Sequence, residues 1–244
     1  MSPLLNVVGV TRRFSGLVAV NNVSFSLFER EILGVIGPNG AGKTTLISLI
    51  SGTIPPTSGE IYFESQPITR FHAYRRGRLG IGRTFQIMQP FPGLSVLDNV
   101  AVGALFGHTG SGRTLANARE HAREQLHFVG LGNLSNRRAD ELGGPARKRL
   151  ELAKALAMEP KVLLCDEVMA GLNLVEIDEV IEIIRRVRDR GISVLVIEHV
   201  IKAIKRLSDR LLVLHHGEKI ADGTPDTVLS DERVVEAYLG RRRE

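Results

Sequence analysis

Hydrophobic positions along this chain occur both as short continuous runs and with helical spacing. Short β-like runs lie at residues 4–10, 23–28 and 32–36, and apolar runs typical of buried strands lie at 162–165 and 193–197. Helical spacing is clearest in Val180, Ile183, Ile184 and Val187, which fall on one helix face. Because strands alternate with helices in the second half of the chain, the pattern predicts an α/β fold with a mainly parallel sheet.

The middle of the chain differs in character from its two ends. Beyond Gln86 come Pro90 and Pro92, and helical spacing of apolar residues then extends over residues 95–140. A glycine-rich interruption of this spacing at 107–112 predicts a surface loop. This change predicts an inserted helical subdomain between two halves of one core. The N-terminal half, the helical subdomain and the C-terminal half are expected at residues 1–88, 89–146 and 147–244.

Composition and charge exclude several classes of protein. Hydrophobic residues at 43% and charged residues at 24% of a 244-residue chain exclude disordered and fibrous proteins. The net charge of +5 suits phosphate ligands, nucleic acid or an anionic membrane surface. With 5% aromatic residues and no Trp, few side chains can stack on single-stranded nucleic acid, and we expect no nucleic-acid partner.

Cysteine content and hydropathy bear on the location of the chain. Cys165 is the only cysteine, so no intramolecular disulfide forms and a cytosolic location is the default expectation. The first ten residues lack the pattern of a signal peptide, and no run of about 18 uncharged apolar residues occurs. We therefore expect a chain that neither spans a membrane nor is exported by that route.

The strongest chemical signal is the run Gly-Pro-Asn-Gly-Ala-Gly-Lys-Thr at residues 37–44, which lies between a predicted strand and a predicted helix. It fits the phosphate-binding loop pattern, in which glycines let backbone N–H groups converge on phosphate oxygens at a helix N-terminus. Lys43 would meet the β and γ phosphates, and the Thr44 hydroxyl would join the shell of Mg²⁺. The predicted nucleotide contacts of this loop are Gly37, Pro38, Asn39, Gly40, Ala41, Gly42, Lys43, Thr44 and Thr45.

Such a loop needs acidic partners at the end of a neighbouring buried strand. Asp166 and Glu167 directly follow the apolar run at 162–165. Asp166 would hold Mg²⁺ through its water shell, and Glu167 would polarise the attacking water as a general base. His199 follows the run at 193–197 on the same rim of the sheet and could reach the γ phosphate, the alternative being a satisfied surface histidine. The predicted fold class is a P-loop NTPase core with a mainly parallel sheet, a small antiparallel β part and an α-helical subdomain.

Over essentially its whole length, the sequence resembles the ATP-binding subunit of an ABC transporter. The resemblance rests on the phosphate loop, the acidic pair, His199, Arg-Thr-Phe-Gln at 83–86 and Ala-Gly-Leu-Asn at 170–173. It implies that Phe14 stacks on adenine and that Gln86 acts as both a catalytic and a metal-sensing residue. It also implies that Asn173, in the loop that touches the opposite subunit, adds to the nucleotide-binding residues. ATP and Mg²⁺ are the implied cofactors.

Within that family, the segments at 83–86, 170–173 and 237–240 look like those of the ATP-binding subunits of importers of branched-chain amino acids and related polar solutes. Lipopolysaccharide-export ATPases have similar sequences at these segments. The resemblance implies a subunit that hydrolyses ATP at the cytoplasmic face of the inner or plasma membrane. Its implied partners are membrane permease subunits, a second ATP-binding subunit and, indirectly, an external substrate-binding protein. A surface formed by Pro90, Phe91, Pro92 and Leu94 would dock a short permease helix, unless these residues are simply core.

One motif departs from the family pattern. Where the family carries a signature close to Leu-Ser-Gly-Gly-Gln, this chain has Leu142, Gly143, Gly144, Pro145 and Ala146. The departure removes a hydroxyl and a backbone N–H donor from the tip that would contact the partner subunit's ATP. We therefore expect a heterodimer rather than a homodimer, with backbone donors that suffice on their own as the alternative.

Two other functions stay open at this point. A soluble ATPase switch of the same fold would act without a permease, and a regulatory subunit would bind ATP with little turnover. The retained Glu167 argues against the regulatory subunit, because the general base is still present. Association with membranes distinguishes a transport subunit from a soluble switch.

Overall fold

Two β-sheets form the frame of the protein in a computed structural model that describes residues 2–85, 90–108, 110 and 113–239. A four-stranded antiparallel sheet has the order β2-β1-β4-β5, and a six-stranded sheet has the order β10-β9-β3-β8-β7-β6. The strands are β1 (Leu5–Phe14), β2 (Leu17–Leu27), β3 (Ile32–Ile36), β4 (Ser58–Phe63), β5 (Gln66–Pro67), β6 (Ile81–Arg83), β7 (Val162–Asp166), β8 (Ser193–Ile197), β9 (Arg210–His215) and β10 (Glu218–Gly223).

Helices cover the sheets and build the inserted segment. They are α1 (Lys43–Ser51), α2 (Ala73–Leu79), α3 (Val96–Phe106), α4 (Leu115–Phe128), α5 (Gly144–Ala157), α6 (Leu174–Asp189), α7 (Ile201–Leu207), α8 (Pro225–Leu229) and α9 (Glu232–Leu239). Two short 3-10 turns lie at Gly132–Leu134 and Ala139–Glu141. Within the described ranges, no helix is long and apolar enough to cross a bilayer.

The six-stranded sheet is the element that positions the chemistry. Every residue of β3, β7 and β8 is buried, because these strands are covered on both faces, and this explains their unbroken apolar runs. β8 pairs in parallel with β3 on one side and with β7 on the other. The carboxyl ends of all three strands therefore meet at one edge of the sheet, which is where ligands bind in open α/β sheets.

Two hydrophobic cores lie on opposite faces of this sheet. One holds apolar residues of α3 to α7 against one face of the strands, and the other packs α1 and the antiparallel sheet against the opposite face. The predicted architecture of a mainly parallel sheet, a small antiparallel β part and a helical segment is confirmed.

Several element boundaries differ from the predicted ones. β1 and β2 are longer than expected, because they pair with each other over almost their whole length. α5 begins at Gly144 rather than near Arg147, since Pro145 is compatible with the first helical turn. The predicted subdomain boundary at 146/147 thus falls inside α5, and the one at 88/89 lies outside the described residues. The division into two core halves and a subdomain stays a prediction.

Arg76 is a buried cation that closes the end of α1. Its NH1 atom donates to the carbonyl oxygens of Leu49 and Ile50 at 2.7 and 2.8 Å. Its Nε and NH2 atoms donate to the carbonyl oxygens of Phe71 and Thr69, both at 2.9 Å. Burial lowers the pKa of Arg76 to about 10, so the guanidinium keeps its charge at neutral pH. A positive charge at a helix C-terminus is favourable, and here it also satisfies the terminal carbonyls.

Replacing Arg76 with Met leaves these carbonyls without their donor, and we expect the free energy of unfolding to fall by about 3 kcal/mol or more. Urea denaturation of the purified chain measures the loss. Arg78→Met is the matched control, since Arg78 lies on the same short helix with an exposed side chain, and it should shift the value by less than about 0.5 kcal/mol. Equal stability of the two variants would contradict the capping role.

Candidate nucleotide site

The loop between β3 and α1 has a backbone that only glycine permits at its key positions. Gly42 has a φ of 100°, and a Cβ built on it would lie 2.3 Å from the carbonyl oxygen of Ala19. A Cβ on Gly37 would lie 2.1 Å from the carbonyl oxygen of Leu214. The loop is thus pressed against the start of β2 on one side and β9 on the other. A Cβ on Gly40 meets nothing within 4 Å, so the convex side of the loop stays open.

Lys43 folds back over this loop. Its Nζ donates to the carbonyl oxygens of Gly37 and Pro38 at 2.7 and 2.9 Å. Burial lowers the pKa of Lys43, while the nearby charges of Glu167 and Asp166 act in the opposite direction. The ammonium is therefore held at the centre of the loop, next to two carboxylates, where it can exchange carbonyl partners for phosphate oxygens.

A cavity of about 440 Å³ opens in front of the loop. Its lining brings most of the predicted loop residues together with Glu167, and α1 has no side-chain cap at this end. Thr44 and Thr45 lie in the first turn of α1, where backbone N–H groups have no intrahelical acceptor. The lining residues are Leu17, Val18, Ala19, Asn39, Gly40, Ala41, Gly42, Lys43, Thr44, Thr45, Glu167 and His216.

Four of these lining residues were missed by the sequence analysis, namely Leu17, Val18, Ala19 and His216. The first three lie at the start of β2, and His216 lies in the turn between β9 and β10. That turn is joined to the phosphate loop by the Gly217 N–H, which donates to the Ala41 carbonyl at 3.1 Å. No local pattern marks these residues, because only long-range packing brings them to the loop.

Asp166 lies at the end of β7 and is almost fully buried. Its Oδ2 accepts a hydrogen bond from Arg83 NH2 at 3.0 Å, and its backbone N–H donates to Thr84 Oγ1 at 3.2 Å. Burial raises the pKa of Asp166, and the Arg83 guanidinium partly offsets this effect. Its other oxygen, Oδ1, is buried without a hydrogen-bond partner among the described residues. The ion pair with Arg83 was not predicted from the sequence.

These residues fit a magnesium ion. The unpartnered Asp166 Oδ1 and the Thr44 hydroxyl are oxygen donors, which Mg²⁺ prefers, and both residues line a second cavity of about 680 Å³. Thr44 lines the first cavity as well, so it lies between the two. Gln86, the third predicted metal residue, lies outside the described residues.

Glu167 has a left-handed backbone with a φ of 53°, which is uncommon for a residue with a side chain and recurs at functional sites. Its N–H donates to the Ile197 carbonyl at 3.0 Å, which ties it to the end of β8. Its Oε1 lies 4.0 Å from Nδ1 of His199, whose side chain is 51% exposed. The structure thus brings the predicted base to the phosphate loop and the predicted histidine to the base.

Phe14 and Asn173 are not among the residues that line the nucleotide cavity. Phe14 ends β1 with its ring 40% exposed and the Arg12 guanidinium 4.5 Å from the ring centroid. Asn173 caps α6, where its side chain accepts from the N–H groups of Val175 and Glu176 at 3.0 Å. Both residues are exposed and therefore accessible to a ligand or another chain, and their predicted roles stay predictions.

The segment that departs from the family signature forms an open helix end. Gly143 is the residue before α5, and no side-chain hydrogen bond caps the helix there. Cβ atoms built on Gly143 or Gly144 meet nothing within 4 Å. Pro145 occupies the first turn, which therefore offers one N–H fewer to an anion. A side chain at Gly143 would be accommodated without a clash.

Glu198 is a buried carboxylate that the sequence analysis did not single out. It follows β8 directly and has no exposed surface. Its Oε1 accepts a hydrogen bond from the Met169 N–H at 2.7 Å. In the part of the chain that the structure describes, its Oε2 is buried without a partner. Burial is the main reason that the pKa of Glu198 rises to about 7, while the Lys148 charge opposes the rise. The one local feature that could have indicated Glu198 is its position directly after the apolar run at 193–197.

Comparisons with known proteins match almost the whole chain. A family model described as "ABC transporter" matches residues 20–170, and one described as "Branched-chain amino acid ATP-binding cassette transporter" matches residues 218–244. The high-affinity branched-chain amino acid transport ATP-binding protein LivG of Escherichia coli (strain K12) is 36% identical over 98% of each chain. The lipopolysaccharide export system ATP-binding protein LptB of Acidithiobacillus ferridurans is 33% identical, also over 98% of each chain.

A solved structure gives the same result for the fold. An ATP-binding cassette of an ABC transporter in its ADP conformation superposes with a TM-score of 0.88 and 31% sequence identity. The match covers 99% of this chain and 100% of that one. The phosphate loop and the acidic pair thus lie in the fold of an ATP-binding cassette.

We expect the buried Glu198 to make stability fall as pH rises. Its pKa is raised from 4.5 to about 7 in the folded chain, so the folded state holds the proton more tightly than the unfolded state. The stabilisation is complete below pH 4.5 and is lost as pH rises through about 7, with an upper size on the order of 3 kcal/mol. Denaturation of the wild type and Glu198→Gln at several pH values measures it as a difference.

Glu182→Gln serves as the control, because Glu182 is exposed on α6. The stability of this variant should follow the wild type at every pH. A constant difference between the wild type and Glu198→Gln over the same pH range would show that the pKa of Glu198 is the same in the folded and unfolded chain, contrary to the expectation.

Proposed function

This chain belongs to the ABC transporter family of ATP-binding proteins, and we propose that it is the subunit that energises an importer of branched-chain or other amino acids. The family hydrolyses ATP to drive transport, and the chain is an ATP hydrolase of this type. The observation that carries the proposal is that the phosphate loop and Glu167 line one and the same cavity. The match of residues 218–244 to the branched-chain amino acid model supports the choice of substrate.

Hydrolysis follows from the residues around that cavity. Lys43 and the N–H groups of the loop bind the β and γ phosphates, which fixes the γ phosphorus in front of Glu167. Glu167 accepts a proton from water as the water oxygen bonds to that phosphorus and the bond to the ADP oxygen breaks. His199, whose Nδ1 lies 4.0 Å from Glu167 Oε1, would orient the γ phosphate. Thr44 and Asp166 would hold Mg²⁺, which neutralises phosphate charge when it is bound.

The second cavity supports docking of a permease. Exposed aromatic side chains of Phe85, Phe91 and Phe106 line it together with Met158, and large exposed apolar surfaces mark interaction sites. Asp166 and Thr44 line the same cavity, so a short permease helix in this groove would sense the nucleotide site. Of the predicted docking surface at residues 90–94, Phe91 lines the groove. The chain would act as a peripheral subunit at the cytoplasmic face of the membrane.

The open end of α5 supports a heterodimer. We propose that the phosphate loop, Asp166 and Glu167 of this chain are completed by an intact signature from a different ATP-binding subunit. The segment from Gly143 to Ala146 would serve the partner's ATP less well. Each lost hydrogen bond to a charged group weakens that contact by about 1.5–3 kcal/mol. An external binding protein and the permease would select the substrate, and the chain would have no nucleic-acid partner.

Lipopolysaccharide export is the second candidate function. Identity of 33% to an export ATP-binding protein over nearly the whole chain favours it. A tagged pull-down from detergent-solubilised native membranes, with mass spectrometry of the bound chains, distinguishes the two. Two permeases and a second ATPase with an intact signature are expected for the importer. Export-type permeases would favour the second candidate, and recovery of the chain alone from the soluble fraction would contradict both.

Glu167→Gln should lower the ATP turnover of the assembled complex by about 100-fold or more, because the amide cannot accept the water proton. Nucleotide affinity should stay within about twofold, since Lys43 and the loop are unchanged. Turnover and binding of a fluorescent ATP analogue measure the two effects. Glu182→Gln, at an exposed position of α6 that does not line this cavity, is the control and should keep full turnover. Undiminished turnover in Glu167→Gln would show that Glu167 is not the general base.

Restoring the family signature with Gly143→Ser, Pro145→Gly and Ala146→Gln should raise the ATPase rate of the assembled complex. The change returns a hydroxyl and an N–H donor to the end of α5, and Gly143 has room for the added side chain. The expected gain is about 10-fold or more at the site that this segment completes. An unaltered rate would mean that the backbone donors suffice as they are. Ala116→Gln, at an exposed position of α4 outside the segment, controls for expression and assembly.

A further inference from the structure

The loop that follows the predicted base is held between two charged side chains from different parts of the fold. We call residues 167–173 the post-base loop. Glu198, at the end of β8, accepts the Met169 N–H at 2.7 Å. Lys148, on α5, donates to the carbonyl oxygen of Ala170 and, at 3.4 Å, to that of Glu167. The backbone of the loop is thus fixed by a carboxylate on one side and an ammonium on the other.

These two side chains depend on each other. Glu198 is fully buried, and Lys148 is half-buried. Burial lowers the pKa of Lys148, and the negative charges of Glu198 and Glu167 oppose that effect. A buried charge without a partner is costly, so each of the two stabilises the charged form of the other. The hydrogen bonds that the Lys148 ammonium donates to the loop are charge-assisted, which makes them stronger than bonds between neutral groups.

The position of Lys148 connects distant parts of the site. It lies four residues after Gly144, about one helical turn from the end of α5 that would face the partner subunit's ATP. Its contact with the Glu167 carbonyl is therefore a direct link between that helix end and the base. At its other end the post-base loop reaches Asn173, the residue that caps α6.

Neither side chain lines the nucleotide cavity, so neither is placed to touch the substrate. We propose that Lys148 and Glu198 are positioning residues for hydrolysis: they hold the post-base loop so that Glu167 faces the water at the γ phosphate, and Lys148 transmits displacement of α5 to Glu167. This inference rests on the proposed function, because it assigns a role relative to Glu167 as base. A displacement of about 1 Å in such a group can lower a rate about 100-fold.

The inference is tested in the assembled complex with Lys148→Met, Glu198→Gln and the double variant, each compared with the wild type. Positioning predicts that kcat falls about 10- to 100-fold in each single variant. The Kd for a fluorescent ATP analogue should change by less than about twofold, because the phosphate loop is untouched. Since the two residues hold one loop, the double variant should lose no more kcat than the worse single variant.

Two further variants separate positioning from a merely structural role. Lys148→Arg keeps a cationic donor and should restore kcat to within about threefold of the wild type. Lys205→Met removes a lysine from exposed α7 and should leave kcat unchanged. A lower melting temperature together with wild-type kcat in Lys148→Met and Glu198→Gln would overturn the inference. So would losses that multiply in the double variant, because the two residues would then act independently.

Glu167→Gln distinguishes failure of this inference from failure of the proposed function. If that change abolishes turnover while Lys148→Met and Glu198→Gln do not, Glu167 is the base and only the positioning role is wrong. If Glu167→Gln keeps turnover, the assignment of Glu167 as the base is wrong. The positioning role then falls with it, because there is no base at that position to hold.

Discussion

Parallel pairing of β8 with β3 and β7 is the constraint on which the site depends. Backbone hydrogen bonds hold Val35 opposite Ile197 and Ile197 opposite Asp166, so the three strands end side by side. The phosphate loop, the acidic pair and the Glu198–His199 pair each follow directly from one of these ends. A shift in register would separate them and also turn buried residues towards the wrong face. The antiparallel sheet and the helical segment pack around this edge.

Several charged side chains inside the protein have neighbouring groups that offset part of the cost of their burial. Arg76 satisfies the carbonyls at the end of α1, and Arg83 pairs with Asp166. Lys148 and Glu198 hold the backbone of the loop behind Glu167 from two sides. Because removing one partner leaves a buried charge uncompensated, such groups hold the geometry of a site firmly. In the phosphate loop, the Lys43 ammonium is held by the backbone carbonyls of Gly37 and Pro38.

The two cavities meet at Thr44, and this arrangement relates nucleotide binding to the aromatic groove. One wall of the groove belongs to α5, whose opposite end carries the departure from the family signature. The same helix holds the backbone of Glu167 through Lys148. A movement of α5 therefore reaches the docking groove, the open helix end and the predicted base together, since packed elements move as units rather than deform continuously.

The sequence by itself determined the fold class, the phosphate loop and the acidic pair, because unbroken apolar runs and a spaced glycine motif are local patterns with a direct physical cause. Local patterns also indicated His199, although not its 4.0 Å approach to Glu167. Only the tertiary structure decided which residues complete the site. Arg83 reaches Asp166, His216 reaches the nucleotide cavity, and Lys148 reaches the loop behind Glu167 through contacts between residues far apart in the chain. Such contacts leave no periodic trace in a single sequence, since strand pairing and helix packing set them.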